Sequence, residues 1–97
     1  MRSLSVVVPV YNAALSLGEL AERLAAVLPT ISDRYELILV EDDSRDRSWD
    51  TIRELAARYP WVRGIKLMRN SGQHSALLCG IRAAHHDIIV TLDDDLQ

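Results

Sequence analysis

Three consecutive carboxylates, Asp93-Asp94-Asp95, follow directly on the apolar run Ile88, Ile89, Val90, Thr91 and Leu92. Adjacent carboxylates repel one another and gain nothing by being packed, but a hard divalent cation makes such a group tolerable. Mg²⁺ and Mn²⁺ prefer oxygen ligands and are commonly shared between one or two carboxylates and a substrate's phosphates. Residues two apart on an extended backbone point the same way. Asp93 and Asp95 can therefore face one ion, with Asp94 turned elsewhere. A second acidic group, Glu41-Asp42-Asp43 with Asp46, closes another apolar run at 37–40. There a carboxylate at Asp42 can accept hydrogen bonds from a base N–H or a ribose hydroxyl, and Tyr11 offers an aromatic face and a hydroxyl. The chemistry these residues suit is the binding of a nucleoside diphosphate with its metal ion.

Taken singly, each has a plainer reading. An acidic triplet is often a solvated turn, Asp42 and Asp43 can cap a turn as Asx residues do, Tyr11 can be a rim aromatic, and Arg69 a surface charge. Their placement on the chain decides between the readings. Residues 4–10 form a valine-rich buried strand, with Pro9 near its carboxyl end, where a missing N–H is tolerable. Ser16 opens a helix with Glu19 three residues on, a capping box. Leu17, Leu20, Ala21, Leu24, Ala25 and Leu28 make its apolar stripe, and Pro29 ends it. A second buried strand at 37–40 runs into Glu41-Asp42-Asp43-Ser44. Ser48 caps a second helix carrying Trp49, Ile52, Leu55, Ala56 and Tyr59. The third strand, 62–68, is interrupted by Arg63 and Lys66, which suits a sheet edge. The turn Arg69-Asn70-Ser71-Gly72 leads to a third helix, 73–84, with Leu77, Gly80, Ile81 and Ala84 on one face. The fourth strand, starting after Asp87, suits cover on both faces.

This βαβαβαβ order predicts an α/β fold of three layers, with a parallel four-stranded sheet and right-handed crossovers. Ligands of such sheets bind outside the carboxyl ends of the strands, where strand order reverses. With the order 3-2-1-4, strands two and four flank strand one, and both acidic groups gather around its end.

Composition sets the outer bounds. The 97 residues suffice for one small core; 48% are hydrophobic and 26% charged, as in globular domains. A net charge of −3 gives no electrostatic footprint for nucleic acid. No apolar run approaches the roughly 20 residues that span a bilayer. The apolar start is too short and too interrupted, by Pro9, Tyr11 and Asn12, for a signal peptide. The single cysteine, Cys79, excludes an internal disulfide, fits a reducing, cytoplasmic setting and lies in the pattern of a small core residue. Neither a P-loop nor a dinucleotide fingerprint is present. His74, His85 and His86 have no metal-ligand spacing, and no nucleophilic triad can be assembled.

Val8-Pro9-Val10-Tyr11-Asn12, Val40-Glu41-Asp42-Asp43-Ser44-Arg45-Asp46, Arg69-Asn70-Ser71-Gly72 and Asp93-Asp94-Asp95-Leu96-Gln97 together resemble the successive motifs of family 2 glycosyltransferases, most closely those acting on dolichyl or undecaprenyl phosphate. The likeness covers nearly all of the chain. It implies a Rossmann-like half of a GT-A fold and transfer of a sugar from a nucleotide-diphosphate sugar to polyprenyl phosphate. It also implies dependence on Mg²⁺ or Mn²⁺. By the resemblance Pro9, Tyr11, Asp42 and Asp94 bind nucleotide, while Asp93, Asp95 and Gln97 serve the metal. Two departures stand out: Ala13 and Ala14 occupy positions that are acidic in many relatives, and Asp43 replaces a glycine.

Residues 1–97 are thus expected to be the nucleotide-sugar-binding part of a glycosyltransferase domain, without the acceptor-binding part and with no catalytic base of its own. Alone it is expected not to transfer sugar, and any membrane contact is expected to come from the missing part, at the cytoplasmic membrane face. The apolar fourth strand, left at an edge, predicts self-association. Two alternatives stay open: a non-catalytic module for nucleotide or metal, and a receiver-like signalling domain. A receiver should carry an acid pair where this chain has Tyr11-Asn12.

Overall fold

A computed structural model describes residues 3–42, 44–67 and 73–92. Four strands, β1 (Ser3–Val10), β2 (Arg34–Glu41), β3 (Val62–Lys66) and β4 (Ile88–Thr91), alternate with α1 (Ala14–Ile31), α2 (Ser48–Arg58) and α3 (Gln73–Ala83). The sheet is parallel throughout, in the order β3-β2-β1-β4. The expected architecture is therefore the observed one.

The strands sort their side chains by the period of two. Val6, Val8, Val10, Leu37 and Leu39 meet α1 through Leu17, Leu20, Ala21, Leu24 and Leu28, and α2 through Ile52 and Leu55. Val7, Ile38 and Val40 point the other way, onto Ala76 of α3. Two helices thus cover one face and one the other, which is why Val6 to Val10 of β1 and Leu37 to Val40 of β2 are apolar without interruption. β3 is the edge its charges predicted. Lys66 reaches over the Trp49 ring, 5.7 Å from its centroid.

α3 lies close on the sheet because residue 80 is glycine. A Cβ there would stand 2.3 Å from Val7 Cγ1 and 3.1 Å from Val40 Cγ2. Gly80→Ala is expected to cost about 1–3 kcal/mol through overpacking. That is a fall of several degrees in Tm, at about 4–8 °C per kcal/mol for a domain of this size. Gly18→Ala is the control: nothing lies within 4 Å of the added methyl. It should raise Tm, since alanine in an exposed helix gains up to about 1 kcal/mol over glycine. Thermal unfolding of the two variants checks both signs.

Several local expectations are corrected. α1 begins at Ala14, and no side chain of the preceding residue caps it. Ser16 donates its hydroxyl to the Ala13 carbonyl at 3.2 Å instead of opening the helix. Pro29 lies inside α1, whose last turn closes around it through Ser32 N–H to the Leu28 carbonyl at 3.0 Å. Ser48 is the first helical residue of α2 and not its cap. On α3 the fully buried positions are Ala76 and Gly80, while Ile81 is exposed. Ile89, Val90 and Leu92 are also exposed, so β4 is not covered on both faces: it ends the sheet, and no helix of the described residues closes over it. Among the described residues no helix is long and apolar enough to cross a membrane.

Candidate functional site

The carboxyl ends of the three paired strands are level, with Val10 opposite Glu41 and Glu41 opposite Lys66. The ladder runs one step further, because Asp42 N–H donates to the Val10 carbonyl at 2.9 Å. That bond brings Asp42 beside the point where Tyr11 leaves β1. Asp42 is only 4% exposed, whereas Tyr11 is 44% exposed. A buried carboxylate and an open aromatic ring thus share one edge of the sheet. Pro9 sits within β1 opposite Val40. Since Val10 and β2 share a hydrogen bond, alternation turns position 9 away from β2, and the missing proline N–H costs no β1–β2 bond.

The loops after β1 and β2 are tied together. Asn12 adopts a left-handed backbone, φ 51°, a conformation asparagine tolerates better than most residues. Its N–H donates to Ser44 Oγ, and its Oδ1 accepts the Arg45 N–H, both at 2.9 Å. Ala13 N–H donates to Ser48 Oγ at 2.9 Å and Ala14 N–H to Asp46 Oδ2 at 3.1 Å. Asp46 Oδ1 accepts the Ser48 N–H at 2.9 Å and the Ser48 hydroxyl at 2.5 Å. Glu41, 1% exposed, accepts the Ser44 N–H. The amino end of α1 is therefore capped by a loop more than thirty residues away. A carboxylate near these N–H groups also suits the positive end of the helix dipole.

That Ser44, Asp46 and Ser48 tie the two loops together was not foreseen, although Asp46 counted in the second acidic group. Their signal was indirect: Ala13 and Ala14 offer no cap of their own, so their N–H groups must find acceptors elsewhere.

Burial alone would raise the Asp46 carboxyl. The Ser48 hydroxyl and the N–H groups of Ala14 and Ser48 outweigh it and hold the group below the ordinary 3.8. A carboxyl depressed in the folded state stabilises fully above its unfolded value, and loses that contribution as pH falls through the folded one. The expected result is a Tm that declines below about pH 4, with a shallower decline in Asp46→Asn, which also starts lower at pH 7. Parallel acid slopes for the two proteins would contradict the assignment.

Of the residues expected to bind nucleotide, Pro9, Tyr11 and Asp42 meet at this edge. Asp94 and the metal group Asp93, Asp95 and Gln97 lie outside the described residues, as do Asp43 and the turn Arg69-Asn70-Ser71-Gly72. Among the described residues no group of three or more His, Cys, Asp or Glu is placed to hold a metal. The donor set of Asp93 and Asp95 is all oxygen, the set that suits Mg²⁺ or Mn²⁺.

The model of the glycosyl transferase family 2 matches residues 5–97. An undecaprenyl-phosphate 4-deoxy-4-formamido-L-arabinose transferase from Edwardsiella ictaluri is 46% identical over 95 residues, which is 96% of this chain and 29% of that protein. The chain thus spans less than a third of that relative. Among solved structures, a mannosyltransferase from Pyrobaculum calidifontis in complex with GDP-Man and Mn²⁺ superposes with a TM-score of 0.88 at 25% identity, over 97% of this chain and 28% of that one. The glucosyl-3-phosphoglycerate synthase of Mycobacterium tuberculosis, in complex with Mn²⁺, UDP and phosphoglyceric acid, shares the fold with a TM-score of 0.76 at 22% identity, over 97% of this chain and 33% of that one.

Proposed function

Since the chain belongs to glycosyl transferase family 2, we propose that it binds a nucleotide-diphosphate sugar, as the donor-binding part of an enzyme that passes the sugar to polyprenyl phosphate. The observation that carries this is the bond from Asp42 N–H to the Val10 carbonyl. It holds a buried carboxylate and the Tyr11 ring at one strand edge of a parallel sheet, where such folds take their ligands. The similarity to transferases acting on undecaprenyl phosphate supports the acceptor, and the neighbour holding GDP-Man and Mn²⁺ supports the donor and the metal.

In this reading Asp42 accepts hydrogen bonds from the base or the ribose, Tyr11 covers the nucleoside, and Pro9 stiffens the strand end beneath it. Asp94 adds a nucleotide contact. Asp93 and Asp95, with Gln97 beside them in sequence, hold Mg²⁺ or Mn²⁺. Bound there, the ion would supply Lewis-acid stabilisation for the departing diphosphate. The chain's own part is to fix the donor: the ties among Asn12, Ser44, Asp46 and Ser48 set the two loops before ligand arrives, so little ordering is left to be done on binding.

Displacement of a fluorescent nucleotide by a panel of nucleotide-diphosphate sugars tests this. At least one sugar nucleotide should compete in the presence of Mn²⁺, and inorganic phosphate should not. Failure of the whole panel, or covalent phosphorylation of Asp42 by acetyl phosphate, would favour the receiver-like alternative.

A further inference from the structure

At the opposite end of the strands a second polar group is buried. Glu36 of β2 is 6% exposed. Its Oε2 accepts the Ser5 hydroxyl at 2.6 Å and the His85 N–H at 2.7 Å. Its Oε1 accepts Arg63 Nε at 3.1 Å and lies 3.0 Å from Arg63 Nη2. Arg63 Nη2 also donates to the Ala83 carbonyl, the end of α3, at 2.6 Å. The next two amides are held in turn: His86 N–H by Ser5 Oγ at 3.3 Å, and Asp87 N–H by Ser3 Oγ at 3.0 Å. Three successive N–H groups between α3 and β4 are thus gripped by side chains of β1 and β2. Burial would raise the Glu36 carboxyl, but the Ser5 hydroxyl, the His85 N–H and Arg63 outweigh it and lower its pKa.

A buried ion pair is by itself weak evidence of a role in stability, since apolar packing often matches or betters it. The location of this group is informative. β4 has four residues, and its apolar side chains are largely exposed, so packing holds it weakly. It is fixed by its ladder to β1, which runs on to Leu92 N–H on the Val7 carbonyl at 3.1 Å, and by this anchor at its start. The acidic run comes directly after Leu92 in sequence. We propose that Glu36, with Ser5 and Arg63, is a positioning site that holds β4 in register and thereby places the run Asp93-Asp94-Asp95 for metal and diphosphate. The second half of this inference rests on the function proposed above; the first half stands on the hydrogen bonds alone.

Glu36→Gln tests it, because an amide must turn an NH₂ toward donors that already fill the site. Ser5→Ala is the milder variant should Glu36→Gln unfold. Hydrogen exchange of the chain should quicken about ten-fold at Val90 and Leu92, whose N–H groups face β1, while the β2–β3 amides change less than about two-fold. Mn²⁺ affinity, measured by electron paramagnetic resonance with a nucleoside diphosphate present, should fall about ten-fold, with metal-free nucleotide affinity nearly unchanged. Exchange that is unaltered at Leu92, or that rises equally in all strands, overturns the anchor. Faster exchange at β4 with unchanged Mn²⁺ affinity overturns the link to metal. If Asp95→Asn also leaves Mn²⁺ affinity unchanged, it is the proposed function that fails, and the exchange result still judges the anchor.

Discussion

Asp42→Ala is expected to weaken nucleoside diphosphate binding by about 10- to 100-fold, the effect of losing a charged hydrogen bond worth about 1.5–3 kcal/mol. The reason lies in how the carboxylate is held. Its own N–H extends the β1–β2 ladder, so the backbone keeps its place when the side chain is cut back. The variant therefore removes an acceptor from a preformed edge without collapsing it. Asp43→Ala should change affinity far less, since Asp42 is the residue whose N–H continues the ladder beside Tyr11. Isothermal calorimetry of the two variants decides the matter; equal losses would count against Asp42 as the base or ribose contact.

Asp95→Asn is expected to remove the part of nucleotide affinity that depends on metal. Replacing one carboxylate of an all-oxygen pair leaves a neutral and poorer ligand for Mg²⁺ or Mn²⁺. Disturbing even the outer partners of a metal site commonly costs about 10- to 100-fold, so loss of a direct ligand should reach at least that scale. Affinity measured in a chelator should hardly change. Asp93→Asn should behave alike, and a loss seen equally with and without metal would point to damage of the fold.

How much of the fold and site is legible in the chain depends on the range of the forces involved. The buried strands are plain because Val6 to Val8 and Leu37 to Val40 are apolar on both faces. The parallel sheet follows from the alternation of strands and helices and the edge place of β3 from its charges, whereas the seat of β4 beside β1 is fixed by neither. The start of α1 is hidden from any local search for a cap, because its acceptor, Asp46, is 32 positions away. Glu36 escapes notice because the apolar run begins at Leu37, and a lone charge at a strand's start looks like its margin. Only the fold shows that Arg63, placed on an edge by its charge, turns inward to meet it. Exposure of β4 is equally hidden: Ile89 and Val90 have the composition of an interior strand, but burial depends on neighbours that no local pattern contains. The edge of Tyr11 and Asp42 is legible because each stands just past the end of a strand, and a parallel sheet gathers its strand ends on one side.

The most direct test of the central claim, that this edge binds a nucleoside diphosphate with help from a divalent ion, is calorimetry of the chain with UDP and with GDP, each in Mn²⁺ and in a chelator. The account predicts saturable binding of at least one of them, tighter by about ten-fold or more in Mn²⁺ because the phosphates and carboxylates complete one oxygen shell. Binding of equal strength in Mn²⁺ and chelator, or no binding of either nucleotide, would contradict it.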